Sequence, residues 1–403
     1  MKVLLISNAF PNSAEPVRGI FTYQIAKALQ KKCDIEVVAP LPWVPPFLGK
    51  KFRSQYPHAN VLSKERIGDI QVYHPRYLVI PKVLGFMHSI FMFPSLFRLI
   101  KRLEKEQHFD LINAHWIFPD GVAATWVGKM VKKPVVLTAL GCDINFYSTM
   151  MLRRLQISSA LRHANGITVK SSSLKRRITE MNISEEKVTV ISNGVDPTLF
   201  RIMGKQTVRK MLGIKEGKAV IVTVCTLDEV KGTKYLIDAL KILKDRKAIQ
   251  PFLYIVGDGP LKKTLFSQAK LLGIAENIYF LGKQPYKDIP FWMNAADVFC
   301  LPSIREGCPN VIIESLACGT PVVASDVGAI PEIICEKNGA ISESRDPVNL
   351  SDQLFLALNH AWNRSEIRNT VRPFTWEGCA EQYACAYSEV LSKIKESSIS
   401  ENH

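Results

Sequence analysis

Residues 298–333 read VFCLPSIREGCPNVIIESLACGTPVVASDVGAIPEI. The apolar run VFCL leads into a turn rich in Gly and Pro, and an apolar helix, a Gly-Thr-Pro turn and a second apolar run, VVAS, follow. This alternation predicts β-α-β units in a parallel sheet. Because open parallel sheets bind ligands beyond the carboxyl ends of their strands, the turn after VFCL is predicted to face a ligand.

Two glutamates, Glu306 and Glu314, lie in this stretch. The first belongs to the Gly/Pro-rich turn and the second to the helix that follows. They are eight positions apart, which would span about 12 Å in a helix, and the irregular turn shortens that distance. Both carboxylates can therefore reach one small polyhydroxylated ligand such as a nucleotide sugar. The alternative is that two glutamates at helical spacing lie on a solvated surface.

The same alternation of strands and helices extends along the whole chain. Short apolar segments such as KVLLIS, DLINAH and VVLTAL alternate with helical segments in the first half, and AVIVTV begins a second series. A chain of 403 residues is long enough for two domains. We predict an α/β protein with two parallel sheets facing each other across a cleft. Its parts are a first domain (1–195), a second domain (196–375), a closing helix (376–395) and a disordered tail (396–403).

The composition excludes several classes of protein. No apolar run reaches the roughly eighteen residues of a membrane span, and the N-terminal run is too short for a signal peptide. The nine cysteines include no Cys-x-x-Cys pair, which argues against zinc and suits reduced thiols in the cytosol. Asp258, in VGDGP, predicts a tight turn rather than a metal site. We expect neither a metal nor a cofactor.

Positive charge is concentrated in the first domain. Residues 1–195 contain 27 Lys and Arg against 13 Asp and Glu, which is +14 of the total net charge of +15. The clusters suit an anionic membrane surface, and a merely soluble basic domain is the alternative. No nucleic acid is expected, because no motif for it is present. The clusters are Lys50, Lys51 and Arg53; Arg98, Lys101, Arg102 and Lys105; Arg153 and Arg154; and Lys175, Arg176 and Arg177.

An apolar segment precedes one of these clusters. Residues 77–102 are rich in Ile, Leu, Phe and Met and end in a basic turn. This pattern is typical of a helix that lies in a membrane interface. A core helix broken at Pro94 is an equal alternative.

Four further residues are predicted at strand ends or in strand-to-helix loops. Gly19 follows the first strand, where a glycine lets a phosphate approach a helix N-terminus, and Lys231 occupies the corresponding loop of the second domain. His115 and Asp143 end two strands of the first domain and are predicted to face the cleft, where Asp143 can accept a proton. The structural alternatives are a loop glycine, a surface lysine, a core histidine and a helix cap.

These residues, in this order, resemble the retaining family-four glycosyltransferases, which have the GT-B fold of two Rossmann-like domains. The run EGCPNVIIESLACGTPVVASDVGAIPE contains the Glu-x7-Glu signature of that family at Glu306 and Glu314. VGDGP, FLGK, SNGVD and the Lys231–Gly232 pair are supporting matches. PVRGIF and AHWIFPDGVAA look like the branch that builds bacterial surface polysaccharides such as lipopolysaccharide.

The resemblance implies a donor site. Glu306 would hold hydroxyls of the donor sugar, Glu314 would hold the ribose hydroxyls, and the base would lie against the backbone near Lys283. Gly19 and Lys231 would complete the diphosphate site. Backbone amides would meet the sugar and the diphosphate along the turn, at Gly307, Cys308, Asn310 and Val311.

Two positions depart from the family pattern. Many members have an arginine where this chain has Thr226, so one cationic phosphate contact is missing. Many also have a histidine where this chain has Leu140. Either His115 and Asp143 supply the polar contacts there, or the reaction depends on the diphosphate leaving group, with electrostatic stabilisation by Lys231 and backbone amides.

The expected activity is a metal-independent transfer of a hexose from a nucleotide diphosphate sugar, with UDP as the expected nucleotide, to a polysaccharide or lipid-linked acceptor. The expected location is the inner face of the cell membrane, as a peripheral protein of cell-envelope synthesis. Two alternatives stay open from the sequence. One is a non-catalytic, nucleotide-sugar-binding assembly subunit, and the other is a sugar-phosphate synthase with a soluble acceptor.

Overall fold

The computed structural model describes residues 1–45, 58–80, 84–215 and 217–400. It divides into two compact units, one of Met1–Asn193 with the C-terminal segment from Trp376, and one of Gly194–Thr375. The predicted boundary after residue 195 lies two residues beyond the observed one. The basic cluster of Lys50, Lys51 and Arg53 lies outside the described residues.

The first unit contains an eight-stranded sheet in the order β10-β9-β8-β7-β1-β2-β5-β4. All neighbouring strands are parallel except β4 and β5, which are antiparallel, and β3 pairs with β6 in a separate parallel ribbon. The central strands are buried apolar runs, which two covered faces require. The strands are β1 (Lys2–Ile6), β2 (Asp34–Val38), β3 (Leu41–Trp43), β4 (Lys64–Ile67), β5 (Ile70–Tyr73), β6 (Arg76–Leu78), β7 (Leu111–His115), β8 (Val135–Ala139), β9 (Gly166–Val169) and β10 (Val188–Val190).

The helices of the first unit join successive strands and cover the sheet. They are α1 (Ile20–Leu29), α2 (His88–Gln107), α3 (Val122–Val131), α4 (Cys142–Asn145), α5 (Met151–His163) and α6 (Ser172–Thr179). An irregular turn at Ile117–Gly121, in which Phe118 is extended, precedes α3. Short 3-10 turns lie at His58–Asn60, Gly85–Met87, Tyr147–Thr149 and Glu185–Lys187.

Helix α2 decides between the two alternatives predicted for residues 77–102, an interfacial helix and a core helix broken at Pro94. Its apolar side is buried in the core of the first unit, so it is a core helix, and Pro94 does not break it. Pro94 lies on the exposed side, where its missing N–H leaves the carbonyl of Ile90 open to water. The buried residues of α2 are Ser89, Met92, Leu96, Ile100 and Leu103.

The second unit has a six-stranded, fully parallel sheet in the order β13-β12-β11-β14-β15-β16. The chain moves outward from β11 to β13 and then returns to β14, on the other side of β11. The strand order therefore reverses between β11 and β14, which makes this the ligand-binding crevice expected of the sheet. The strands are β11 (Val220–Val224), β12 (Phe252–Val256), β13 (Ile278–Gly282), β14 (Val298–Leu301), β15 (Val322–Ser325) and β16 (Gly339–Ser342).

Helices cover the sheet of the second unit as well. They are α7 (Lys205–Met211), α8 (Thr233–Lys247), α9 (Lys262–Leu271), α10 (Ile289–Ala295), α11 (Asn310–Ala317), α12 (Ile330–Ile333), α13 (Pro347–Asn359) and α14 (Arg364–Thr370). Short 3-10 turns lie at Glu229–Lys231, Ala275–Asn277 and Tyr286–Asp288. The α/β class with two separate, mainly parallel sheets is thus confirmed.

The C-terminal helix α15 (Trp376–Ser400) packs on the first unit, mainly against α1. It buries Trp376, Tyr383 and Tyr387 in the core that underlies β1 and β2. The helix continues past the predicted end at Lys395, so residues 396–400 are helical rather than disordered, and 401–403 lie outside the described ranges. Among the helices in these ranges, none has both the length and the apolar character needed to cross a bilayer.

Candidate functional site

The crevice between β11 and β14 is lined by two loops, residues 225–232 after β11 and 302–309 after β14. A backbone hydrogen bond joins them, from the amide of Ile304 to the carbonyl of Val230 at 2.7 Å. The first loop carries Lys231 and the second carries Glu306. Neighbouring strand ends thus bring together residues that are far apart in the sequence.

Lys231 and Glu306 form an ion pair in this crevice. The ammonium Nζ of Lys231 donates to Oε1 of Glu306 at 2.7 Å, and the hydroxyl of Ser303 donates to the same oxygen at 2.6 Å. The side chain of Lys231 is 25% exposed and that of Glu306 is 9% exposed. Both side chains are therefore held at the carboxyl edge of the sheet, with the lysine still accessible to a ligand.

The β11–α8 loop is shaped by local contacts. Asp228 caps the turn at Glu229–Lys231 by accepting from the amide of Lys231, and the hydroxyl of Thr226 donates to the same carboxylate at 2.9 Å. Gly232 has a φ of 64°, and a Cβ placed on it would lie 2.0 Å from the carbonyl oxygen of Pro302. Only glycine allows the two loops to approach this closely.

Glu314 has a different environment from Glu306. It lies in the middle of α11, is only 2% exposed, and accepts a hydrogen bond from the hydroxyl of Tyr286 at 2.9 Å. Burial raises the pKa of Glu314 to about 7, and the hydrogen bond from Tyr286 opposes this shift. The structure therefore places Glu314 in the interior, bonded to a tyrosine that the sequence analysis missed. Tyr286 offered no signal, since it lies in a short turn before α10.

The other predicted donor residues follow β14, except Lys283, which follows β13. Gly307 accepts from the amide of Ala329 at 2.8 Å, which joins the turn to the loop after β15. Asn310 and Val311 begin α11, and Cys308 is half-buried before it. Lys283 is exposed and directly follows β13 at the edge of the sheet.

Asp258 lies in the turn after β12. Its carboxylate accepts from the amide of Gly259 at 2.8 Å, as in the tight turn that the sequence predicted. Within the described ranges, no group of three or more His, Cys, Asp or Glu side chains is arranged to hold a metal ion.

Gly19 lies in the first unit, at the start of α1. It has a φ of 60°, and a Cβ on it would lie 2.0 Å from the carbonyl oxygen of Ala9. The close packing of this loop on itself already requires glycine. The alternative of a structural loop glycine therefore accounts for Gly19 without a bound phosphate.

His115 is a core residue, which corrects the prediction that it faces the cleft. It is 1% exposed, its Nε2 lies 2.8 Å from Oδ1 of Asn113, and its ring stacks on Tyr383 of α15. Burial, together with the positive charge of nearby Lys170, lowers the pKa of His115 to about 3. A neutral, enclosed imidazole in this position stabilises the packing of α15.

Asp143 is likewise fully buried, and its carboxylate binds backbone amides. Its oxygens accept from the amides of Ile117 at 2.9 Å, Gly141 at 2.8 Å and Ile144 at 3.1 Å, and from Leu140 at 3.2 Å. Burial raises the pKa of the carboxyl, and these hydrogen bonds oppose the rise. The residue therefore joins the loops after β7 and β8 rather than contacting an acceptor. It is not the predicted helix cap either, because it lies inside α4, whose N-cap is Gly141.

Asp120 was missed by the sequence analysis. It lies in the irregular turn after β7, is fully buried, and its Oδ1 accepts from the amide of Asn8 at 2.7 Å. Its Oδ2 has no hydrogen-bond partner among the described residues. Burial raises the pKa of Asp120 to about 8. The strand order of the first unit reverses between β1 and β7, so this aspartate joins the two loops of that crevice.

Two family patterns match the chain, one to each half. The pattern described as Glycosyltransferase Family 4 matches residues 19–199, and that described as Glycosyl transferases group 1 matches residues 204–372. The chain belongs to the family-four glycosyltransferases. It is a glycosyltransferase of the GT-B fold that takes its sugar from a nucleotide sugar.

Individual relatives agree with this assignment. The chain is 31% identical over 343 residues to a teichuronic acid biosynthesis glycosyltransferase, TuaC, of Bacillus subtilis (strain 168), covering 83% of each chain. Sucrose-phosphate synthase from Thermosynechococcus elongatus has a similar structure (TM-score 0.77, 19% identity, 98% of this chain and 100% of the other). So does Anabaena Alr3699/HepE, solved with UDP-glucose (TM-score 0.65, 22% identity, 99% and 100%).

Proposed function

We propose that the protein is a retaining, metal-independent hexosyltransferase that moves a hexose from a UDP-sugar to a glycan or lipid-linked acceptor. The observation that carries this proposal is the Lys231–Glu306 pair at the point where the strand order of the second unit reverses. The UDP-glucose bound by Anabaena Alr3699/HepE supports the choice of donor. The polysaccharide named for the Bacillus subtilis relative supports the class of acceptor.

The residues of the crevice suit this chemistry. An ammonium has three N–H donors, and Lys231 uses one of them on Glu306, so it can also donate to a diphosphate oxygen. Glu306, beside Ser303, would accept from hydroxyls of the donor sugar. Backbone amides of Gly307 and the first turn of α11 would add to the stabilisation of the leaving diphosphate.

A front-face displacement accounts for every bond and proton of the transfer with these groups alone. The bond from the anomeric carbon to the phosphate oxygen breaks, and the acceptor oxygen bonds to the same face of that carbon. The acceptor proton passes to the departing phosphate oxygen, and nucleoside diphosphate leaves. Since His115 and Asp143 are enclosed in the first unit, this route assigns them no proton transfer.

The proposed location is the inner face of the cell membrane. All nine cysteines are thiols rather than disulfides, which suits a reducing compartment. Most of the net positive charge lies in the first unit, with +14 in residues 1–195 and −3 in residues 376–403, which suits an acceptor presented at an anionic lipid surface.

The direct test is sugar release from labelled UDP-sugars, with and without acceptor. Glu306→Gln keeps the shape of the side chain but removes its charge, so we expect turnover to fall by roughly two orders of magnitude, comparable to the loss of one electrostatic contact at a reacting centre. Glu336→Gln, at an exposed position of the same unit, is the matched control. Unchanged turnover in Glu306→Gln would falsify the assigned role.

The departures at Thr226 and Leu140 favour a second candidate, a nucleotide-sugar-binding subunit without catalysis. In the structure Thr226 bonds to Asp228, a contact that brings no positive charge to the phosphates. Binding of UDP-sugar in a thermal-shift assay, with neither transfer nor hydrolysis, would support this candidate and reject the first.

A further inference from the structure

A group of exposed apolar side chains surrounds the start of α5 in the first unit. We call these five residues the apolar tip. Their exposed fractions range from 37% to 76%. A contiguous group of exposed, large apolar side chains on a monomer usually marks a binding surface. They are Phe146 (37%), Met150 (38%), Met151 (76%), Leu152 (47%) and Leu155 (61%).

The geometry of α5 places part of the apolar tip on one face. Met151 and Leu155 are four residues apart, and Leu152 and Leu155 are three apart, so these side chains are neighbours on the helix surface. The helix turns its other face to the core, where Ile157, Ala160 and Leu161 are buried. Core packing therefore explains one apolar face of α5 and leaves the other unexplained.

Neighbouring residues on the core side of the apolar tip fix its position. The ring of Tyr147 packs against Phe118, and the guanidinium of Arg153 lies over both rings, 5.2 Å from that of Phe118 and 4.6 Å from that of Tyr147. The side-chain amide of Gln156 donates to the carbonyl of Phe86 at 2.8 Å. The exposed side chains thus stand on an ordered base.

The surroundings of the apolar tip are positively charged. Between residues 121 and 179 the chain has ten Lys and Arg and one acidic residue, Asp143, which is buried. Three of the ten do not add free positive charge, since Lys170 is buried and Lys133 and Lys175 form ion pairs with Glu104 and Glu185. Arg154 is exposed within the tip, and Arg177 donates to the side chain of Asn145 at 2.8 Å, which brings the basic end of α6 beside Phe146. The next acidic residue, Glu180, follows α6.

We propose that the apolar tip inserts into the headgroup region of an anionic lipid bilayer, with Arg154 and Arg177 at the phosphate level. Aliphatic and Phe side chains rimmed by arginine are the combination that binds such surfaces. The inference deepens the proposed function and rests on it, because a lipid-linked acceptor would then be presented near the carboxyl end of β8. Helix α2 also exposes Arg98 and Lys101, while its buried apolar side is in the core.

The test is flotation of the full chain with vesicles of phosphatidylcholine containing about a third phosphatidylglycerol. We expect the wild type to float with these vesicles and not with pure phosphatidylcholine. The triple variant Met151→Ser, Leu152→Ser, Leu155→Ser should bind at least roughly tenfold more weakly. Each serine lacks the favourable free energy that an apolar side chain gains on transfer from water to the boundary of the acyl chains. The control is Met211→Ser with Leu271→Ser, two similarly exposed residues of the second unit, which should bind like the wild type.

Two outcomes would overturn this inference: no binding by the wild type, or equal binding by the triple variant. If the triple variant also loses dimers while vesicle binding is unchanged, a second copy of the chain covers the tip. UDP-sugar hydrolysis and thermal unfolding, measured without vesicles, should be the same in the wild type and the triple variant. If neither the wild type nor the triple variant hydrolyses UDP-sugar, the result counts against the proposed function. It does not affect the inference that the apolar tip binds a membrane.

Discussion

At the scale of residues, similar side chains acquire different roles from their surroundings. Glu306 and Glu314 belong to one sequence motif, yet the first pairs with Lys231 at an accessible strand end and the second is buried against Tyr286. Asp120 and Asp143 are both buried at strand ends, but the first leaves one oxygen without a partner among the described residues, while the second binds several amides. Spacing in the sequence predicts proximity and does not predict burial.

Asp120 leads to a prediction on pH dependence. Its pKa is about 8 in the folded protein and about 4 in an unfolded chain. The folded protein keeps this proton at pH values where the unfolded chain has lost it, so the free energy of unfolding falls as pH rises from about 4 to about 8. Asp120→Asn keeps an acceptor for the amide of Asn8 and cannot ionise. We expect the difference in melting temperature between Asp120→Asn and the wild type to increase by several degrees, in favour of the variant, as pH rises from about 6 to about 9.

The measurement is thermal unfolding of the wild type and Asp120→Asn across that range of pH. Asp69→Asn, at an exposed turn, controls for the loss of one carboxylate from the net charge. A constant difference in melting temperature at every pH would contradict a buried carboxyl that is protonated at neutral pH.

At the scale of elements, the carboxyl ends of neighbouring strands create the site. The sequence predicted the strands, the loops after them and the presence of Lys231 and Glu306 in two of those loops. The pairing followed from the strand order, in which β11 and β14 are neighbours although two strands and their helices separate them in the chain. The bond between Ile304 and Val230 then fixes the two loops together.

Gly232 tests this arrangement. Gly232→Ala would force a Cβ against the carbonyl of Pro302, so the loops after β11 and β14 must separate. Gly213→Ala is a matched control, because Gly213 also has a positive φ, of 66°, and a Cβ added there would meet no described atom within 4 Å. Both variants should lose about 1 kcal/mol from the left-handed backbone.

We expect a further loss of nucleotide-sugar affinity, at least about tenfold, in Gly232→Ala alone, because a displacement of the loop misplaces Lys231. Titration calorimetry with UDP-sugar on both variants provides the comparison. Equal affinities in the two variants would show that the loop contact does not position the donor site.

At the scale of the whole molecule, the chain returns to its first unit after completing the second. Helix α15 supplies Tyr387, whose hydroxyl donates to Asn113 at 2.9 Å, and Tyr383, which accepts from the ammonium of Lys170 at 3.0 Å and stacks on His115. The core of the first unit is therefore incomplete without residues that are more than two hundred positions away in the sequence.

A chain that ends at Thr375 should lose the first unit selectively. Removing α15 exposes the core around β1 and β2 and removes the tyrosine hydroxyls that bond to Lys170 and Asn113. The second unit is one continuous segment and loses nothing. We expect two separate thermal transitions in the truncated chain, with the first unit melting at least about 10 °C lower than in the full chain. Calorimetry of both chains measures this.

A truncation that ends at Lys395 is the matched control, since it removes only the last turns of α15 and keeps every buried aromatic residue. It should unfold like the full chain. An unchanged first transition in the chain ending at Thr375 would show that α15 contributes little to the first unit.

The amino-acid sequence by itself determined the alternation of strands and helices, the two-part organisation, the family and the loops that hold Lys231 and Glu306. These features depend on local periodicity and on turn residues, which neighbouring positions set. Only the tertiary structure decided that His115, Asp143 and Asp120 are enclosed, that α2 is a core helix and that α5 keeps an apolar face exposed. The burial of a side chain depends on what packs over it, and for His115 that is a tyrosine from the other end of the chain.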